Sequence, residues 1–553
     1  MRAWFKTGTP WIWLNAGAIA LCLVMVIGVL GLIAVQGGSH FWPADLQQVQ
    51  AVQADGSKKT LLAEHVRTEQ VSAVTLKDSG VAVPDNAEFY ARHLLKLANR
   101  DVYGRDFAWF LQHDLSGWEK PQNAIVIERR EWGNFQGFPL QLLHQDKVIA
   151  EGEALWPALK QAMARANALH DEITDIEKGD IGKINKALEA LRLGKRTLEL
   201  QGASAAELSA YTQQSAEDQA ALDAQYADLQ QKLETLYSDA KRDSLKVVTA
   251  EGKELTISLS NIVHAHMPNQ MSLLDKSVHY VVSIWNFLSD DPREANTEGG
   301  IFPAIFGTIT MVILMSIIVT PFGVLAAIYL REYAKQGTML KIIRISVYNL
   351  AGVPSIVYGV FGLGFFVYIM GGNIDALFYP EKLPAPTFGT PGLFWASLTL
   401  ALLTLPVVIV STEEGLSRIP STIRMGSLAL GATKSETLWK VVVPLATPAM
   451  MTGLILSIAR AAGEVAPLML VGVVKLAPTL PVDGSFPFVH LDQKIMHLGF
   501  HVYDVGFQSP NVEASRPLLY ATALVLVLLI VVLNMAAIHL RNKLREKYRS
   551  ESD

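Results

Sequence analysis

Arg460 and Glu464 stand in an apolar run, Leu454-Ile-Leu-Ser-Ile-Ala-Arg460-Ala-Ala-Gly463-Glu464-Val-Ala-Pro467. An ionised side chain at the centre of a bilayer costs roughly 2.5–3.5 kcal/mol on insertion scales, so two in one run require each other or a wet cavity. Four residues apart, they share one face of a helix. Pro467 offers no N–H to the Gly463 carbonyl and kinks the helix there. A guanidinium gives two parallel hydrogen bonds to the oxygens of a phosphate-like anion. A carboxylate beside it weakens that grip and permits release. The other reading is a plain ion pair that locks two spans together.

A second constellation is polar. Between two apolar runs lies Arg424-Met425-Gly426-Ser427-Leu-Ala-Leu-Gly431-Ala432-Thr433-Lys434-Ser-Glu436, and Pro444 follows a Val-Val-Val triplet. Gly431 allows a left-handed turn between two short helices. Pro444 opens the following span or its lead-in, because its missing N–H is harmless in a first helical turn. Leu428, Leu430, Leu438 and Trp439 offer apolar anchors to a partner, with Arg424, Lys434 and Glu436 as a polar rim. Gly426 and Gly431 have the glycine offset of a P-loop, but Ala432-Thr433 follows where Lys and Ser or Thr are needed. No complete P-loop occurs elsewhere, so a nucleotide must bind another chain and no cofactor is expected in this one. His497 and His501, with Asp492 and Asp504 near, have zinc-like spacing and lack an obvious third ligand, which favours a solvated loop without metal. His264 and His266 are expected at the surface or hydrogen-bonded. The single cysteine, Cys22, sits in an apolar run and excludes an internal disulfide.

These residues need a scaffold in a membrane. Half of the 553 residues are hydrophobic, and no basic block outside the membrane flanks suggests nucleic-acid binding. The first apolar run, Trp11 to Val35, is too long for a signal h-region and lacks a cleavage site, so it reads as an uncleaved anchor. Five more candidate spans run Ile301 to Leu330, Ile345 to Gly371, Leu393 to Val410, Ala446 to Val474 and Pro517 to Leu540. Arg2, Lys6, Arg331, Lys335, Lys341, Arg344, Arg418, Arg424, Lys434, Lys440, Arg541, Lys543, Arg545, Lys547 and Arg549 all fall on one side of six crossings. Both termini are therefore expected in the cytoplasm, with loops 372–392 and 475–516 and the polar middle outside it. Anchoring accounts for Arg344; Tyr348, Pro354 and Ser355 are positioned to line a path.

In the polar middle, Leu159, Ala162, Ala166, Leu169, Ile173 and Ile176 alternate steps of three and four. Ile181, Ile184, Leu188 and Leu191 continue the series after an interruption at Gly179-Asp180. Leu222, Tyr226, Leu229, Leu233 and Leu236 form a second. The spacing predicts an antiparallel helical hairpin broken near Gly202-Ala203-Ser204, or two amphipathic helices on a globular core. Ala124 to Glu128, Leu245 to Val248 and Leu255 to Leu259 read as strands, the last two joined at Ala250-Glu251-Gly252-Lys253. The expected fold is an all-α integral membrane protein of about six transmembrane helices, with an α+β insertion containing a coiled-coil-like helical hairpin. Its expected divisions are 1–38 (cytoplasmic N-terminus and first helix), 39–300 (polar domain, hairpin about 155–240), 301–540 (membrane domain) and 541–553 (basic tail).

Several stretches over residues 300–540 together resemble one family. They are Gly299-Gly-Ile-Phe-Pro-Ala304, Pro321-Phe-Gly-Val-Leu-Ala-Ala-Ile-Tyr-Leu-Arg-Glu-Tyr333, Gly352-Val-Pro-Ser-Ile-Val-Tyr-Gly-Val-Phe-Gly-Leu363, the 413–444 loop and Arg460-Ala-Ala-Gly-Glu464-Val-Ala-Pro-Leu468. The chain is similar to the PstA-type permease subunits of phosphate-specific ABC importers. The resemblance makes the 413–444 loop the ATPase-docking (EAA) loop, with Met425-Gly426-Ser427 where Glu-Ala-Ala is usual. It implies a PstC-like permease partner, two ATPase subunits carrying ATP-Mg, and a periplasmic phosphate-binding protein. It also implies a location in the bacterial inner membrane and a path that uses Arg460 and Glu464. Such a chain is not itself an enzyme. Another oxyanion, or an envelope sensor or scaffold using the hairpin, remains open. The long middle departs from the family, where the first two spans are joined by a short link.

Overall fold

Six helices among the described residues are long and apolar enough to cross a membrane: Thr9–Ser39, Phe302–Tyr333, Ser355–Phe378, Leu393–Arg418, Lys434–Gly463 and Ser515–Lys543. The computed structural model describes residues 8–52, 56–81, 87–484, 486–509 and 512–550. Arg2 and Lys6, and the side chains of Arg545, Lys547 and Arg549, lie outside what is described. The chain divides into two compact units, residues 1–40 with 301–553, and residues 41–300.

The membrane unit is held by its second and fourth spans. Met311, Val312, Met315 and Val319 pack on Leu393, Ala396, Leu400 and Val408, and Ala461 and Ala462 of the fifth span join them. Small residues set the helix separations, as expected where lipid removes most of the hydrophobic drive. A Cβ on Gly415 would lie 2.4 Å from the Cβ of Ala449, and one on Gly453 would lie 2.7 Å from that of Ser411.

Two spans differ from expectation. The third does not start at Ile345. Ile345 belongs to a separate amphipathic helix, Thr338–Leu350, and the span opens at Ser355 behind Pro354. Gly352 and the bar that Pro354 sets on α conformation in its predecessor break the run. The fifth does not extend to Val474. It stops at Gly463, Glu464 is extended (φ −78°, ψ 135°), and a single turn follows at Leu468–Val471. Loop 475–516 is not a free connection either. Ile495 and Leu498 are wholly buried, and the Leu498 amide donates to Thr308 Oγ1 of the second span at 2.9 Å.

The 41–300 unit is α+β, as expected, but holds far more β structure than the three strands read from the sequence. Strands β1 (Leu46–Val52), β2 (Lys58–Ser72), β3 (Phe89–Lys96), β4 (Phe107–Leu111) and β5 (Leu115–Glu119) form an antiparallel sheet in the order β4-β3-β2-β1-β5. This sheet had no counterpart in the sequence reading. A second sheet holds β6 (Ile125–Arg129), β7 (Phe135–His144), β8 (Lys147–Glu151), β9 (Asp243–Val248), β10 (Glu254–Ser258) and β11 (Ile262–His266) in the order β10-β9-β7-β6-β11, with β8 also on β7. The three strands expected near 124, 245 and 255 are β6, β9 and β10. Leu46, Leu62, Ala124 and Val126 bury together where the two sheets meet.

The helical hairpin leaves the second sheet after β8 and returns at β9. Its first arm is Leu155–Thr174, a wide π turn at Asp175–Asp180, and Ile181–Leu200; the second is Ala205–Ala240. The π turn absorbs the phase slip seen at Gly179-Asp180. Gly202 turns the chain at φ 71°, and Ser204 with Glu207 forms a capping box at the second arm. Leu159, Met163 and Ala166 belong to the sheet core, and Ile173, Ile176, Leu233, Leu236 and Ala240 close the base of the hairpin. Both readings of the helices therefore hold in part. Tyr226, expected in the seam, stays exposed.

Candidate transport path and docking elbow

The fifth span breaks at the ionisable pair. Arg460 occupies its last turn and Glu464 is the first residue beyond it. Arg460 Nε donates to Glu464 Oε1 at 3.4 Å, with the side chains 34% and 21% exposed. The pair meets as expected, but across a helix end and not along a helix face. Among the described residues no other hydrogen bond engages the guanidinium, which is about one third exposed. The positive side chain also suits the carbonyl end of a helix.

Contrary to expectation, Pro467 does not kink a continuing helix; it starts the short turn after the break. A Cβ on Gly359 of the third span would lie 2.7 Å from Pro467 Cα. The third span thus presses its backbone against the break, and Leu468 and Val471 anchor the other side in the core. Tyr358, next to that glycine, is buried and donates to Leu350 O at 2.6 Å; Arg460 lies close enough for its charge to reach the phenol. Irregular backbone at membrane depth is tolerated where protein or a wet cavity surrounds it.

The 413–444 loop forms an elbow of two helices. The first, Ser421–Ala429, ends in a Schellman motif: Ala432 N–H bonds Ser427 O, Gly431 N–H bonds Leu428 O, and Gly431 has φ 89°. Thr433 then caps the next helix. Its hydroxyl accepts from the Glu436 amide at 3.2 Å, and Glu436 Oε2 accepts from the Thr433 amide at 3.0 Å. Such a cap contributes about 1 kcal/mol. Ser427 and Thr437 hydroxyls join the arms at 2.9 Å.

One expectation about this loop changes, at Leu438. Pro444 stands in the first turn of the α-helix Val443–Gly463, as expected, and the chain enters that helix from Lys434 without a break. A π turn at Thr437–Val442 comes just before the proline, where its absent N–H and its ring disturb the regular ladder. Leu438 is buried with Ile328, Leu416 and Ile419 and is no anchor for a partner. The rim residues also brace the elbow, with Lys434 and Glu436 exposed and Arg424 partly buried. Arg424 donates to Glu332 Oε1 and to the Leu416 and Ile419 carbonyls, Lys434 donates to Glu332 O and sits over Tyr333, and Glu436 is the cap. The outward face is Met425, Leu428, Leu430 (91% exposed) and Trp439. Gly426 has open space around it, and Ala432 follows the turn.

Sequence reasoning missed further polar ties. Arg344 pairs with Glu413 at 2.6 Å, joining the amphipathic helix to the fourth span. Asp375 is buried and accepts from the Phe388 and Gly389 amides at 2.8 and 2.6 Å. His497 and His501 are buried, not solvated, with His497 Nδ1 accepting from the Gly499 amide. Among the described residues no His/Cys/Asp/Glu group of three or more is placed to hold a metal.

Residues 319–546, which contain both constellations, match the family model described as binding-protein-dependent transport system inner membrane component. That stretch is similar to the membrane components of binding-protein-dependent transport systems. The chain is 38% identical over 175 residues to the phosphate transport system permease protein PstA of Mycobacterium leprae, covering 32% of this chain and 52% of that one. It is 29% identical over 239 residues to the probable phosphate transport system permease protein PstA of Methanocaldococcus jannaschii (42% and 73%). It is also 28% identical over 276 residues to that organism's probable phosphate transport system permease protein PstC (48% and 82%). The chain spans about half the length of the first curated relatives it matches. The matched stretch takes in the elbow, the break at Glu464 and the last four spans; about half of the second span and the whole 41–300 unit lie before it.

Proposed function

We propose that this chain is a PstA-type permease subunit that passes inorganic phosphate across the bacterial inner membrane, driven by ATP hydrolysis on a partner. The carrying observation is the guanidinium of Arg460, partly exposed at a helix break and hydrogen-bonded through Nε alone among the described residues, so that its two terminal nitrogens carry no hydrogen bond there. A tetrahedral oxyanion takes up those two donors, and Glu464 limits how tightly it is held. PstA-named relatives favour phosphate over other oxyanions. The elbow around Gly431 supports ATPase docking, since its apolar outer face is unpartnered and its hinge is capped on both sides. Met425 supplies a soft contact where the family has a carboxylate. Likeness to both PstA- and PstC-named proteins supports a pseudo-symmetric pair of permeases over two ATPase subunits, fed by a periplasmic binding protein. Cytoplasmic termini and a periplasmic 41–300 domain follow from the basic flanks. Competition uptake tests the substrate: labelled phosphate import is blocked by unlabelled phosphate and left intact by sulfate or molybdate. Import blocked by sulfate or molybdate instead overturns the assignment.

A further inference from the structure

The helix Leu273–Ser289 of the 41–300 unit has its polarity reversed for a helix in water. Its inner face is polar and aromatic. Lys276 bonds Asp45, His279 stacks on His266, Asn286 bonds His264 at 3.0 Å, and Tyr280 and Phe287 meet Phe41. Its outer face carries Leu274, Val278, Val281, Val282 and Trp285, all exposed, with Trp285 at 69%. At 100° per residue these five fall within a quarter-turn of helix surface or a little more. A water-facing helix places such a stripe on the core instead. Contiguous exposed apolar surface of this kind marks an interaction site.

Covalent continuity says what covers it. The first membrane helix ends at Ser39, and Phe41, two residues on, is packed against Tyr280 and Phe287. Two residues reach about 7 Å at most, so the Phe41 on which this helix packs stands within that reach along the chain of the end of the first membrane helix. Trp42, also exposed, lies 6.0 Å from Tyr280. Trp and Tyr concentrate at the headgroup level. The chain re-enters a membrane helix at Phe302, and the short ladder of Pro292–Arg293 with Glu298–Gly299 folds up the connection between.

We infer that Leu273–Ser289 is an interfacial helix, lying in the headgroup region of the leaflet from which the first span emerges, its Leu274–Trp285 face in contact with lipid. The membrane thereby sets the height of the 41–300 unit, and the capping box of Ser272 and Asp275 fixes where the helix starts.

Spin labelling tests this without reference to transport. On the full chain with Cys22→Ser, reconstituted in phosphatidylethanolamine–phosphatidylglycerol vesicles, a nitroxide at Val281→Cys or Trp285→Cys is compared with one at Ala216→Cys on the hairpin. Oxygen partitions into lipid and a neutral nickel chelate into water. The expected result is an oxygen-to-nickel accessibility ratio several-fold higher at 281 and 285 than at 216. Nickel access equal to that at 216 means a solvated face and overturns the inference. Protection from both reagents means a protein partner covers the face, which overturns it as well.

Discussion

At the scale of single residues, the chemistry rests on how Arg460 is held. A contact through Nε alone leaves the guanidinium fork intact, whereas a bidentate pair would use it up. Glu464 then works as a brake on affinity. Replacing it by Gln removes the competing charge but keeps the shape, so phosphate should bind more tightly and leave more slowly. KM for phosphate falls and maximal uptake falls with it, each by several-fold; unchanged kinetics in reconstituted transport would remove Glu464 from the path. The residue identities at this site were legible because ionisable groups in an apolar run are conspicuous. Their geometry was not. Hydropathy carries on to Val474, so nothing local shows the helix stopping at Gly463. The stop comes from Pro467 and from the burial of Leu468 and Val471 in the bundle. His497 and His501 were misplaced for the same reason: their burial depends on a distant partner, the second span.

At the scale of elements, the elbow combines two opposed caps on one hinge. Gly431 sits at positive φ and its amide bonds Leu428, so Gly431→Pro fails on both counts. ATPase activity should persist in the assembled complex while phosphate uptake falls to background, read by measuring both on one preparation. Gly431 could be read from the sequence because only a glycine takes that conformation cheaply. Leu438 could not, because a helix in this loop shows two apolar faces and the chain alone does not say which one the spans cover. Among the strands, β6, β9 and β10 announced themselves by apolar content. β2 is long, bulged between His65 and Arg67, and polar over its second half, so its alternation is lost. With β2 unread, the first sheet had no centre.

A second element-scale expectation concerns acid. Burial raises the Glu298 carboxyl from 4.5 to about 7, helped by Glu128 and Glu294 against Lys96 and Arg293. Burial lowers His266 from 6.5 to about 4, helped by His279. The acid is easier to ionise unfolded, so its contribution to stability declines as pH rises from about 4.5 to 7. The histidine is easier to protonate unfolded, so its contribution increases from about pH 4 to 6.5. Each is worth up to about 3 kcal/mol, and the two slopes oppose each other. Glu298→Gln should therefore unmask a stability that climbs between pH 4 and 6.5, measured by hydrogen exchange of residues 41–300 in the intact chain. A pH profile matching the parent protein would contradict the burial of this carboxyl.

At the scale of the whole molecule, the stretch that matches the family model is joined to a separate 41–300 unit. The hairpin divides at its base. Leu155 to Ala166 complete the sheet core, so a deletion starting at 155 would unfold the unit. Removing only 185–226 and closing the arms with a glycine-containing turn keeps Ile173, Ile176, Leu233 and Leu236 together. Phosphate uptake by that variant should stay within about twofold of the parent. Loss of uptake with intact assembly would make the hairpin part of the transport cycle. The division of the chain was visible as a change from apolar to polar composition near 40 and back near 300, but the two-sheet build of the middle was not.

The most direct test is ATP-driven uptake of labelled phosphate into vesicles holding this chain with its permease, ATPase and binding-protein partners, comparing the parent with Arg460→Ala. Accumulation by the parent and none by the variant, with the complex assembled in both, is the predicted result. Equal accumulation by the two would contradict a guanidinium-lined path.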